Sequence, residues 1–454
     1  MTHENHHHSG LNTRQIEFIA LGSTIGSGLF LGAGQGIQIA GPGMLLAYAI
    51  AGFMAFIVAR CLGEMALADP KPSVFISYTE RYIGPRAAFV QAWSYWICCV
   101  LVCMAELTAM GLFVRLWLPD LPLWIPELAG LAIVFVINRL NVRVFGEVEF
   151  WISLLKIVTI VAFLILGGLL LTGVAPSPLR EASVTNLWSQ GGFLPKGLIG
   201  LVAALPVALF AFGGTELIGI AAAEAEDPER SVPRATNGLL FRLGLFYVGT
   251  TLMLLCLEPW RNVPTDSSPI VALLARIGVP AAASLMNIVL VSAVLSSCNS
   301  TLYAGTRVLK VLGDIGGAPK ALSQLNAHGA PGKAVSFSLA VVSCAILLSW
   351  TLPNGLFELL LAMAAIIAIT NWTVFLIAYL RFRRLRSSPA ARRFVVPGAS
   401  WSVAAVLLLI FATIAIALDN PGLREGALLA TGVVFCLTVI AMARAARRYD
   451  KRSV

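Results

Sequence analysis

Twelve apolar stretches divide this chain from end to end, each long enough to cross about 30 Å of hydrocarbon at about 1.5 Å per helical residue. They fall at residues 16–38, 42–67, 87–118, 123–141, 149–172, 197–222, 238–257, 281–310, 334–352, 356–380, 402–418 and 426–446. Hydrocarbon gives backbone N–H and C=O groups no water to bond, so such segments must pair those groups internally, as helix. Of 454 residues, 58% are hydrophobic and only 12% charged; a soluble domain carries about 25% charged residues. The fold expected is an all-α polytopic membrane protein with twelve transmembrane helices and no soluble domain.

A net charge of +9 would suit nucleic acid, but the positions of the charges say otherwise. With both termini in the cytoplasm, only Arg115, Arg180, Lys196, Arg261, Arg276 and Arg424 fall on the outer side, and Lys156 lies within a span. All other Lys and Arg lie inside, the asymmetry that orients membrane proteins. The basic excess is a topology signal, and no nucleic-acid partner is expected. The eight cysteines lie almost wholly within apolar stretches, where free Cys behaves as a small hydrophobe, and no disulfide is read from them. No metal-ligand spacing occurs among the cysteines; the His6-His7-His8 run reads as incidental, with metal binding the alternative, and no cleavable signal is read before the first span. Three regions are expected: a flexible cytoplasmic tail (1–15), a ten-helix transport core (16–380), and a final region (381–454) with a basic loop, two helices and a C-terminal tail.

Two stretches are poor continuous helices in the same way. The first carries Gly22-Ser23-Thr24-Ile25-Gly26-Ser27-Gly28, and the sixth carries Pro206 and Phe210-Ala211-Phe212-Gly213-Gly214-Thr215-Glu216. Each interior Gly costs a helix roughly 0.8–1 kcal/mol relative to Ala, and Pro costs far more. Close helix packing explains one such cluster. Two, five spans apart at matching places, point instead to discontinuous helices 1 and 6 in a 5+5 inverted repeat, the arrangement that builds transporter binding sites.

Breaking a helix at mid-membrane frees N–H groups at one end and carbonyls at the other. The N–H end suits an anion and the carbonyl end a cation, so an amino acid satisfies both. Ser23, Thr24 and Ser27 add hydroxyls; the carboxylate is assigned to Thr24, Ile25, Gly26, Ser27 and Gly28, and the amino group to carbonyls near Ile25 and at Phe210, Ala211 and Gly213. Phe210 could cap the bound side chain; simple packing is the alternative, more so for Phe212. Glu106 in span three and Glu216 beyond the second break are further candidates, since intramembrane carboxylates are costly and usually functional. Glu216 could equally brace the unwound backbone, and Glu224 reads as a solvated end residue. In span eight, Ser296, Ser297 and Asn299 could complete an ion site or merely pack helices.

Lys156 is the only ionisable side chain between Phe150 and Thr172. A cation there costs at least about 2.5–3.5 kcal/mol by insertion scales. It could take the place of a cotransported sodium and load and release a proton in each cycle. It could also be static, or reach out past Glu149, about 10 Å away along the helix, to the inner surface.

Several segments resemble the amino acid–polyamine–organocation superfamily, and within it the bacterial permeases for aromatic amino acids, phenylalanine, proline, γ-aminobutyrate and lysine. They are GSTIGSGLF (22–30), AGPG (40–43), LGEM (62–65), NVRVFGEVEFWISLLKI (141–157), the long stretch from 210 to 237, and VLSSCNSTLY (294–303). The resemblance implies the five-plus-five fold with two added spans and alternating access coupled to inward proton movement. It matches Ser23, Thr24, Ser27 and Gly28 to the carboxylate motif, Phe210 to the gating aromatic, Lys156 to the proton-linked lysine, and Glu216 to the acid after the span-six break.

The expected function is proton-coupled uptake of an amino acid, neutral or aromatic first, across a bacterial cytoplasmic membrane. No cofactor other than the proton and no obligate protein partner are expected. A cationic substrate, exchange, and a channel remain the alternatives. No nucleophile elbow or histidine cluster suggests an enzyme.

Overall fold

The computed structural model describes residues 25–68, 75–139, 142–174, 179, 182–215, 228–278, 280–326, 329–352, 355–385 and 394–450, and every regular element among them is helical. Eight of these helices are long and apolar enough to cross a membrane, and three shorter apolar ones accompany them.

The first apolar stretch is not a continuous helix. Gly26 takes an extended backbone (φ −134°, ψ −152°), and a helix starts only at Ser27. This short α1 (Ser27–Phe30) gives way at Leu31 to α2 (Gly32–Ala40). Gly41, at a left-handed φ of 62°, turns the chain, and Pro42 presets the next turn leading into α3 (Met44–Ala68). The short α4 (Ile76–Tyr82) precedes α5 (Pro85–Val114), which opens with Gly84 at φ 132° and proline at the first helical position. Then come α6 (Trp124–Arg139) and α7 (Val142–Leu171).

The sixth stretch is interrupted as well. Its first part is α8 (Gly197–Ala203), and α9 (Leu205–Ala211) follows with Pro206 in its first turn. Helix stops at Ala211; residues 212–215 form turns, with Gly214 at φ 93°. Helix is therefore absent at Ile25–Gly26 and at Phe212–Thr215, within the two glycine clusters, and the chain on their far sides, residues 16–24 and 216–227, lies outside the described residues. Past the second break, α10 (Pro228–Leu243) continues through a π-helical turn (Gly244–Gly249) into α11 (Thr250–Leu257). The remaining helices are α12 (Pro269–Arg276), α13 (Pro280–Asp314), α14 (Gly332–Val342), α15 (Cys344–Thr351), α16 (Leu356–Leu385), α17 (Ala399–Asp419) and α18 (Pro421–Asp450).

At the centre, α5 lies between α13 and α16, and α1 and α9 lean against this group. The outer helices turn apolar side chains away from it. On α7, Trp151, Leu155, Val158 and Ile165 are exposed while Glu149, Ser153 and Lys156 are buried, and on α17 Leu408 and Phe411 are exposed. This is the reverse of a water-soluble helix, with apolar residues on the outer face and polar ones within.

Small residues set the spacing of these helices. A Cβ on Gly426 of α18 would stand 2.6 Å from the Ala362 Cβ and 3.3 Å from the Leu359 carbonyl of α16, too close for either to yield. Gly426→Leu is expected to force α16 and α18 apart at a cost of about 1–3 kcal/mol. The melting temperature of the purified protein in detergent should fall; an unchanged value would mean that this contact does not hold the helices together.

Candidate functional site

The two breaks meet. A Cβ on Gly28, one residue into the first helix after its break, would lie 2.7 Å from the Cα of Ala211, the last helical residue before the other. Only hydrogen at residue 28 lets the backbones approach this closely. Beside the contact lies a narrow cavity of ≈ 40 Å³, lined in part by Gly26, Gly28, Glu106, Phe210, Gly213 and Ser297.

The backbone N–H of Ser27, freed by the break, donates to Glu106 Oε2 at 2.9 Å. The Ser297 hydroxyl of α13 donates to the other oxygen, Oε1, at 2.8 Å. One buried carboxylate thus ties α1, α5 and α13 together. The acceptor that meets this N–H end in the structure is the protein's own Glu106, where the sequence reading put a substrate carboxylate. A Cβ on Gly26 would overlap the same carboxylate, so glycine is needed there too.

The carbonyl end is also engaged. The Tyr247 hydroxyl donates to the Ala211 carbonyl at 2.7 Å, and the Phe210 carbonyl accepts from the Gly213 N–H at 3.1 Å. The Tyr48 hydroxyl donates to the Gly28 carbonyl at 3.4 Å. Phe212 packs with these two tyrosines, its ring centroid 4.7 Å from Tyr247 and 6.1 Å from Tyr48. It is a packing residue. Phe210 differs: it faces the cavity and meets Phe357 edge-on, centroids 6.3 Å apart. Phe357 lines a second, larger cavity of ≈ 520 Å³ together with Arg115, Asp266 and Glu358. The two rings stand between the cavities.

Lys156 is wholly buried, at 0% exposure, and so is Glu149. The idea that the lysine reaches past Glu149 to the surface is therefore wrong, because Glu149 is itself interior. Lys156 Nζ donates to the Ser296 hydroxyl at 2.9 Å, and that hydroxyl donates to Glu149 Oε2 at 2.6 Å. Asn299 Nδ2 donates to Glu149 Oε1 at 3.0 Å. The span-eight trio is thus divided: Ser297 serves Glu106 and the cavity, while Ser296 and Asn299 serve Glu149.

Ile25, Gly26, Ser27, Gly28, Glu106, Phe210, Ala211 and Gly213 fall at or beside the junction. Ser23, Thr24, Glu216 and Glu224 lie outside the described residues. Sequence reasoning missed Tyr48, Tyr247 and Glu149 as parts of this centre. Only Glu149 left a signal: Glu149, Ser153 and Lys156, at spacings of four and three, share one helical face.

Comparison with known proteins gives the family. The family model described as amino acid permease matches residues 15–446. The aromatic amino acid transport protein AroP of Shigella flexneri is 42% identical over 91% of this chain and 90% of its own length. AroP of Escherichia coli K12 is 41% identical over the same shares, and the uncharacterized transporter YdgF of Bacillus subtilis is 34% identical over 95% of this chain and 94% of its own. All are transport proteins and none is an enzyme. With the start of one helix at Ser27 beside the end of another at Ala211 inside an apolar bundle, this integral membrane protein belongs to the amino acid permease family of transporters.

Proposed function

We propose that this permease takes up aromatic and other large neutral amino acids together with a proton, by alternating access. The observation that carries the reading is Glu106 on the Ser27 N–H beside a cavity of only ≈ 40 Å³. An amino acid needs that N–H for its own carboxylate, so Glu106 must release it. A proton on Glu106 removes the charge that holds it there, and the bound amino acid then supplies the negative charge to the half-helix. Substrate and proton each favour the other's entry, which is the thermodynamic content of symport. The amino group goes to the carbonyls at Ile25, Phe210, Ala211 and Gly213, each bonded carbonyl keeping a second lone pair. Ser23, Thr24 and Glu216 are proposed as further contacts, and Lys156 as the proton-linked cation.

The preference for a large apolar side chain rests on the far wall, where Cys98, Cys99, Ala304 and Ala368 are small and Tyr95 offers a ring. The relatives named for aromatic amino acid transport favour the same choice. Phe210 is proposed to close over that side chain from between the two cavities. The same proposal takes in twelve spans with two inverted five-span units in residues 16–380, a cytoplasmic tail at 1–15, and a terminal region at 381–454. Both termini face the cytoplasm of a bacterial inner membrane, on the strength of the basic asymmetry. No cofactor other than the proton and no protein partner are proposed.

Purified protein in liposomes should accumulate phenylalanine when an inward proton gradient is imposed, and an uncoupler should abolish it. Lys156→Ala should lower this accumulation by about tenfold or more while the protein still folds. Passive flux without accumulation would indicate a channel, and wild-type uptake by the mutant would remove Lys156 from the mechanism.

Phe210→Ala should change preference among side chains. An aromatic contact is worth about 0.5–1.5 kcal/mol, so affinity for phenylalanine, tyrosine and tryptophan should fall roughly two- to tenfold more than that for alanine. Equal losses across a binding panel would refute a side-chain role.

A further inference from the structure

Glu149 has no part in substrate binding as described, yet it is among the most thoroughly bonded residues of the interior. One oxygen, Oε2, accepts from the Ser296 hydroxyl at 2.6 Å. The other, Oε1, accepts from Asn299 Nδ2 at 3.0 Å, and the Asn299 side-chain oxygen accepts in turn from Asn138 Nδ2 on α6. The Ser296 hydroxyl that donates to Glu149 also accepts from Lys156 Nζ at 2.9 Å. A cation, a hydroxyl and a carboxylate therefore stand in one file, each donating to the next. All three are buried, at 0%, 1% and 0% exposure for Lys156, Ser296 and Glu149.

Holding a lysine in place needs no such file. A direct ion pair or a few carbonyls would do so, without anchoring a second carboxylate through Asn299 and Asn138. What the interposed hydroxyl adds is a group that can accept one proton as it gives up another. The charged groups acting on Lys156 among the described residues are Glu149 and Glu106; Glu106 lines the cavity beside the breaks, and Glu149 is not among the residues that line it.

We infer that Glu149 accepts the proton that Lys156 releases, passed through the Ser296 hydroxyl, and so begins the proton's exit from the substrate site. This rests on the proton-coupled reading above. In the step, one Nζ–H bond of Lys156 breaks as a new O–H bond forms on Ser296. The original Ser296 O–H bond breaks as an O–H bond forms on Glu149 Oε2. Ammonium becomes amine, carboxylate becomes carboxylic acid, and serine ends as it began. No other reactant is required. Opposite charges vanish together, so the net charge of the buried group does not change, which keeps the transfer affordable where solvation is poor. Asn299 and Asn138 are positioning residues: holding Oε1 leaves Oε2 facing the serine.

The test uses the full-length protein in liposomes with radiolabelled phenylalanine as probe and a pH-sensitive dye inside. Exchange of phenylalanine for phenylalanine at equal pH requires no net proton movement; uptake driven by an inward proton gradient does. Glu149→Gln and Ser296→Ala are each expected to keep exchange within about threefold of wild type. Each should lower gradient-driven accumulation and substrate-linked internal acidification by about tenfold or more, and Ser296→Thr, which keeps a hydroxyl, should restore both. Should Glu149→Gln fail to fold, Ser296→Ala, which deletes one oxygen, carries the test alone. Accumulation at the wild-type proton ratio in these variants would overturn the relay, and so would parallel loss of exchange and accumulation in folded protein, the mark of a structural role. If wild-type protein accumulates nothing under the gradient, the proton-coupled reading falls with it; normal coupling in the variants sinks the relay alone.

Discussion

A backbone N–H with no helical partner in the middle of an apolar bundle has to find an acceptor, and Ser27 finds Glu106. Leaving it unbonded would cost several kcal/mol where no water reaches. Much of the centre follows from that need. Glu106 must stand on α5 at the depth of the break, Gly26 must lack a side chain to admit it, and Ser297 must satisfy its second oxygen from α13. At the other break Tyr247 does the same for the Ala211 carbonyl. The polar groups of the interior are the means by which two interrupted helices can exist there.

An arrangement of this kind is suited to alternation because its bonds can be exchanged. In the proposed mechanism a ligand with its own carboxylate would offer Ser27 the same kind of acceptor that Glu106 offers, and would take its place once a proton has released Glu106. The close approach of Gly28 to Ala211 makes the two breaks neighbours, so the ligand proposed to lie there would touch both. Helices α5, α13 and α16 pack against one another beside the cavity, and in the proposed alternation they are the wall against which the segments at the breaks would shift.

The helical breaks were legible because glycine and proline act locally: their cost to a helix is paid where they stand. Ile25–Gly26 and Phe212–Thr215 accordingly lie where composition put them. Lys156 was legible as an anomaly of charge in an apolar stretch. What could not be read was pairing across the fold. Glu149 sits seven residues from Lys156, at the edge of an apolar run, where a carboxylate is ordinarily solvated; only the buried face that it shares with Ser153 and Lys156 shows otherwise. Tyr48 and Tyr247 carry no mark at all, since a tyrosine in a membrane helix is equally suited to an interface or a core. Their roles depend on which carbonyl lies opposite, a fact of tertiary structure.

Phe210 and Phe212 show the same division within three residues. Both flank a break and both are aromatic, so sequence could only rank them. In the structure the helix ends between them at Ala211, and the turn that follows sends Phe212 back among Tyr48 and Tyr247 while Phe210 stays on the cavity side against Phe357. The end of α9 therefore separates a ring packed among tyrosines from a ring that lines the cavity. A helix one residue longer would set Phe212 at about 100° from Ala211 around the axis and take it from its present place, while Phe210 would stay where it is. The point at which the helix stops is thus part of what shapes the site, as much as the residues that line it.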